Sequence, residues 1–172
     1  MISIVPVHDD ATRLRNVTQD WYWEGKVVEA ITEALQQDSW TILSAADTLS
    51  RARGADIHAR RDENDFFVEV KGYPSRYYRD AARSAEQKPT NPINQAGHWY
   101  AHALLKAMRL QSAHPTASIG LGFPNFPRYR ALFTETSTAL NRLGIITMFV
   151  SENGSVEWYR DEQVKKPTAS RP

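Results

Sequence analysis

The chain has 172 residues, 41% of them hydrophobic and 24% charged, with 8 Gly and 9 Pro, which fits one compact fold and excludes a disordered, fibrous or collagen-like protein. The absence of cysteine excludes disulfides, thiolate metal sites and cysteine nucleophiles, and no apolar run reaches the roughly 18 residues that cross a bilayer. A net charge of +1 lacks the overall basic excess of a typical nucleic-acid binder, and a cytoplasmic protein with no membrane partner is expected.

In chain order, residues 1–20 show no clear period and are expected to form an arm, followed by one domain over 21–160 and a flexible tail over 161–172. Trp23–Gln37 predicts a helix, with Val27, Val28, Ile31 and Leu35 on one buried stripe. Trp40–Ala45 predicts a strand, and residues 46–53 a loop. Ala55–Arg60 and Phe66–Lys71, separated by a polar stretch, predict a β-hairpin. A long polar connection, Gly72–Pro92, leads to a helix over Ile93–Leu110, with Ala96, Trp99, Tyr100, Ala103, Ala107 and Leu110 facing inward.

The rest predicts a strand over Ala117–Phe123, a helix over Pro127–Leu143 and a strand over Ile145–Val150. An Asn153-Gly154 turn then leads into a last strand, Val156–Tyr159. This order implies an α/β fold in which a mixed sheet carries helices on its faces.

Charge is unevenly spread. Residues 1–50 hold 3 basic and 8 acidic side chains, residues 51–110 hold 11 and 7, and residues 111–172 hold 7 and 5. The basic excess is therefore concentrated in the middle of the chain.

The hairpin carries the chemistry. Alternation puts Phe66, Val68 and Val70 on one face of the second strand, and Phe67, Glu69 and Lys71 on the other. On the first strand Asp56 and His58 share a face. A register with Asp56 opposite Glu69 pairs Arg60 with Asp65 and leaves Arg61–Asn64 as a four-residue loop, with Asn64 suited to a left-handed conformation. Two facing carboxylates repel unless a cation lies between them, and hard oxygen donors favour Mg²⁺, with Mn²⁺ as a substitute. An adjacent Lys71 can then position a water and offset charge on a phosphoryl transition state.

Glu24 falls on the buried stripe of the first helix, one turn before Val27, whereas Glu29 and Glu33 lie about 140–180° away. A carboxylate there either needs a cationic partner or is an ordinary first-turn acid favoured by the helix dipole.

The pattern Asp56, twelve intervening residues, then Glu69-Val70-Lys71, on an αβββαβ order, resembles the PD-(D/E)XK, or restriction-endonuclease-like, nuclease superfamily. The resemblance covers roughly residues 20–150, with Ala55 standing where the family pattern has Pro. It implies Asp56 and Glu69 as metal ligands, the Val70 backbone carbonyl as another, Glu24 as a further one, and Lys71 as the catalytic lysine. Gln95-x-x-x-Trp99 is similar to the Gln-x-x-x-Tyr element of RecB-type members, and gives Gln95 an accessory role or makes it an ordinary edge glutamine. His98 and His102 are spaced to bind zinc from one helix face, but no third ligand is evident.

Arg76, Tyr77, Tyr78, Arg79, Arg83 and Lys88 interleave cations with aromatics just after Lys71, a composition suited to nucleic acid or to an ordinary polar loop. Arg128 and Arg130 open the third helix and offer a second phosphate contact. The expected function is a Mg²⁺-dependent endonuclease acting on nucleic acid, DNA first, in repair or in defence against foreign DNA. The alternatives are a silent nuclease-like module that binds nucleic acid or a partner subunit, and a nuclease acting on RNA. With little room for a recognition domain, sequence specificity would be low or would come from a homodimer or a partner.

Overall fold

The computed structural model describes residues 17–45, 54–78, 83 and 86–160. The arm up to residue 16, the loop over 46–53 and the tail over 161–172 lie outside the described residues. Val17–Gln19, placed in the arm by the sequence, form a short 3-10 turn. The first helix, α1 (Glu24–Gln37), follows and buries the expected stripe of Val27, Val28, Ile31 and Leu35. Burial of each such side chain contributes about 1.5–3 kcal/mol, so this face fixes how α1 lies on the sheet.

Six strands form one mixed sheet in chain order: β1 (Thr41–Ala45), β2 (Ile57–Arg61), β3 (Asn64–Val70), β4 (Ser118–Pro124), β5 (Ile145–Val150) and β6 (Val156–Tyr159). The β1/β2, β2/β3 and β5/β6 pairs are antiparallel, and β3/β4 and β4/β5 are parallel. The parallel steps are bridged by α2 (Pro92–Ala113) and α3 (Pro127–Leu143), as parallel neighbours require. The architecture is α/β, with an open mixed sheet and three helices.

Two cores result. The α1 stripe packs with Ile57, Phe66, Val68, Val70 and Met148 on one face of the sheet. On the other face, Phe67, Ile119, Leu121 and Phe123 pack against Ala96, Tyr100, Ala103 and Ala107 of α2 and Tyr129 of α3. Of the stripe expected on α2, Trp99 and Leu110 are only half-buried.

The β2/β3 register agrees with the sequence expectation, with Ile57 opposite Val68 and Arg60 opposite Asp65. The turn differs. Arg61 also pairs with Asn64, so the connection shrinks to Asp62 and Glu63, and Asp62 rather than Asn64 takes the left-handed conformation at φ 53°. Aspartate tolerates that region because its short polar side chain can hydrogen-bond locally. The connection from β3 to α2 folds back on itself through an antiparallel bridge between Tyr77 and Gln87.

Candidate active site

Asp56 immediately precedes β2, and Glu69 and Lys71 lie at the end of β3, so the antiparallel register brings all three to one end of the hairpin. Asp56 Oδ2 accepts the Val70 backbone N–H at 2.7 Å. Lys71 continues the ladder by donating its own N–H to the Gly122 carbonyl at 3.0 Å. The Glu69 face opposite the valines is not open surface. Beneath α2, Glu69 is 0% exposed.

Glu24 joins from α1 because the backbones of two segments touch. A Cβ at Gly72 would lie 2.6 Å from the Glu24 nitrogen and 2.7 Å from the Tyr22 carbonyl oxygen, so only glycine admits this approach. The Tyr73 N–H then donates to the Tyr22 carbonyl at 2.9 Å, and the Tyr129 hydroxyl donates to the Gly72 carbonyl at 2.8 Å. These bonds pin the start of α1 against the residues that follow β3.

Lys71 stands at the centre of the cluster. Its Nζ is 2.7 Å from Glu69 Oε1, 3.8 Å from Glu24 Oε2 and 4.0 Å from Asp56 Oδ2, and it donates to the Val70 carbonyl at 2.8 Å. The carbonyl that the family resemblance makes a metal ligand is thus held by the lysine.

A second ammonium, absent from the sequence reading, enters from α2. Lys106 Nζ contacts Glu69 Oε2 and lies 3.7 Å from Asp56 Oδ1. One signal for it was present in the chain. From Pro92 to Ala113 there is no acidic residue, so Lys106 has no carboxylate within its own helix, and it follows Ala103 by three positions at the edge of the buried stripe.

The electrostatics follow from burial and crowding. Glu69 is pushed up to about 7, by burial first and then by the Asp56 carboxylate, against the opposing pull of Lys71. Glu24 is raised by burial, with Lys71 opposing and Asp56 adding. Burial pulls Lys71 down, but Glu69, Glu24 and Asp56 outweigh it and hold the ammonium above its ordinary value. Lys71 is therefore a fixed cation at neutral pH.

The cluster is rich in the oxygen donors that a hard divalent ion would take. Three carboxylates face two ammonium groups, an excess of one negative charge when all are ionised. Both Glu69 oxygens are buried, Oε1 against the Lys71 ammonium and Oε2 against that of Lys106. All the candidate ligands are oxygens, the chemistry of Mg²⁺ or Mn²⁺ rather than of zinc. Among the described residues no three His, Asp or Glu side chains converge as a formed metal site, and the lysines bridge the carboxylates instead. His98 and His102 are both exposed on α2.

The remaining candidates divide. Gln95 Oε1 is buried with no hydrogen-bond partner, and its side chain makes no bond to the carboxylate cluster. Arg76 is exposed, and Tyr77 and Tyr78 are half-buried. Arg83 pairs with Glu86 at 2.8 Å and lies 3.7 Å over the Tyr78 ring, and Lys88 lies 6.0 Å from the same ring. Arg79 lies outside the described residues. Arg128 has a buried Nε without a partner. Arg130 donates to Asn125 at 2.7 Å and to the Tyr159 hydroxyl at 2.6 Å, pairs with Glu157 and covers the Phe149 ring, a set of contacts that ties α3 to β5 and β6.

Among the described residues no helix is long and apolar enough to cross a membrane. No protein-family model matches the chain, and comparison with curated proteins and with solved structures gives no match.

Proposed function

We propose that the protein is a divalent-metal-dependent nuclease of the restriction-endonuclease-like, PD-(D/E)XK kind, hydrolysing phosphodiester bonds with DNA as its substrate. The observation that carries this reading is the meeting of Asp56, Glu69 and Lys71 at one end of the β2/β3 hairpin, with Glu69 fully buried there. Asp56 and Glu69, with Glu24 as a third ligand, would hold Mg²⁺ or Mn²⁺. When bound, the ion supplies Lewis acidity and lowers the pKa of a coordinated water.

This chain's own residues do the rest. Asp56 and Glu69 set where the phosphate meets the site, and their charge is matched once a cation is present. Lys71, held protonated by its carboxylate neighbours, stabilises the negative charge that grows on the phosphoryl oxygens as water adds to phosphorus. The test is digestion of single-stranded, duplex and branched DNA and of RNA with Mg²⁺. Cutting of DNA supports the reading, and cutting of RNA alone moves the substrate to RNA.

One observation favours a second reading, a module that binds nucleic acid or a partner and does not cut. Lys71 and Lys106 already occupy the carboxylates and the Val70 carbonyl. Calorimetry separates the two: absence of Mg²⁺ or Mn²⁺ binding, with nucleic-acid binding retained, selects the silent module.

A further inference from the structure

The segments that carry Glu24 and Lys71 run on into a second depression. Tyr22 precedes Glu24 by two residues and Tyr73 follows Lys71 by two, so each lies within about 7 Å of chain from the carboxylate cluster. With Phe126 and Ile93 they wall a cleft of about 400 Å³ at the start of α2. That volume is within the roughly 300–1,000 Å³ typical of small-molecule sites.

Its aromatic wall is built in advance. Phe126 stacks on Tyr73 at 4.1 Å and on Trp21 at 5.2 Å, and Tyr22 meets it edge-on at 5.4 Å. The other end is cationic. Arg76, Asn91 and Pro92 line both this cleft and an adjoining depression of about 210 Å³, which Lys88 also lines. Among the described residues no carboxylate lines either space, and neither Arg76 nor Lys88 forms an ion pair.

We propose that this cleft holds one unstacked nucleotide of a single-stranded nucleic acid, with its base against Tyr22 and Tyr73, which Phe126 backs, and its phosphate toward Arg76 and Lys88. The assignment rests on the nuclease reading and names its substrate class. Aromatic walls take any base by its π-face, and cations beside them take the phosphate, a combination that binds single strands with little sequence preference. A base in a duplex is paired and stacked on both sides and cannot enter without leaving the helix. The cleft therefore discriminates by strandedness, next to the residues proposed to cut.

The test uses the full chain in EDTA, so that nothing is cut, and measures fluorescence anisotropy with a labelled single strand of about 15 nucleotides and the matching blunt duplex. Wild type is expected to bind the single strand on the order of tenfold more tightly than the duplex. Ile93→Trp fills the cleft from an exposed position and should abolish that preference, with thermal melting as the check on folding. Arg76→Ala, at a second exposed position, should weaken single-strand binding and flatten its salt dependence.

Equal affinity of wild type for the two forms, or a preference unchanged in Ile93→Trp, overturns the proposal. Mg²⁺-dependent cutting without a single-strand preference would reject the cleft and leave the nuclease reading standing. A preference that Ile93→Trp removes, in a protein that cuts nothing, would do the reverse.

Discussion

Asp56 Oδ2 accepts the backbone N–H of Val70 at 2.7 Å, joining the residue in front of β2 to the end of β3. The bond leaves Oδ1 toward Lys106, 3.7 Å away, so one carboxylate both closes the hairpin end and faces the charged cluster. Structure and chemistry therefore have to be separated by choice of variant. Asp56→Ala leaves the Val70 N–H without its acceptor and should cost about 1–3 kcal/mol in chemical denaturation. Asp56→Asn keeps an acceptor oxygen and should recover most of that loss while removing the charge. Equal stabilities for the two variants would mean that the bond contributes nothing.

Glu69 gives the metal-free protein a pH dependence of known sign. Because its folded pKa lies above the ordinary 4.5, at about 7, the folded state binds more protons than the unfolded state between those values. Its contribution is complete below pH 4.5, and stability is lost as pH rises toward about 7. Glu69→Gln has no such loss. Measured by denaturation in EDTA, the variant should gain on wild type through that window by an amount on the order of 3 kcal/mol, then level off. A stability difference that does not change with pH would contradict the buried, crowded carboxylate.

Lys106 competes with any metal for Glu69 and Asp56. Replacing it with Met keeps much of the side-chain volume and removes the charge, so the carboxylates should bind Mn²⁺ more tightly, by about tenfold, in calorimetry. The metal-free protein should be less stable than wild type, because the cluster then holds three carboxylates against one ammonium. Unchanged Mn²⁺ affinity would show that the Lys106 contact is incidental.

The approach of Gly72 to α1 predicts a coupled effect. Gly72→Ala would force its Cβ against the backbone of Glu24 and Tyr22, which cannot rotate away as a side chain can. Destabilisation of about 1–3 kcal/mol is expected, as for other overpacked sites. Glu24 would move with the displaced backbone. A lower melting temperature together with weaker Mn²⁺ binding would fit Glu24 as a ligand, and a lower melting temperature alone would remove it from the ligand set.

The hairpin was legible because its evidence is local. The period-two alternation from Phe66 to Lys71 and the Arg60/Asp65 pairing fix the register, and that register brings Asp56 to Glu69. The turn differs from the expected four-residue loop because pairing extends one residue further, to Arg61 and Asn64, and puts the left-handed residue at Asp62. What the pattern could not give was the depth of the site. Glu69 is fully buried only because α2, more than twenty residues later in the chain, lies across that face of the sheet.

Lys106 was missed for the same reason, since its partners are distant in sequence and its own helix offers none. Periodicity puts Glu24 on the stripe of α1, but its proximity to Lys71 depends on the tight contact at Gly72, which no periodicity encodes. Arg130 looked like a phosphate contact from its position at the start of α3. The contacts it makes with Asn125, Glu157 and Tyr159 bind that helix to the sheet edge.

The central claim is tested most directly by incubating DNA with wild type, Asp56→Asn and Lys71→Ala in Mg²⁺ and following strand cleavage, with thermal melting run beside it. Metal-dependent cutting by wild type is expected, with a loss of at least about a hundredfold in each variant and melting of Asp56→Asn close to wild type. Cutting by the variants at the wild-type rate, or no binding of Mg²⁺ or Mn²⁺ by wild type, would contradict it.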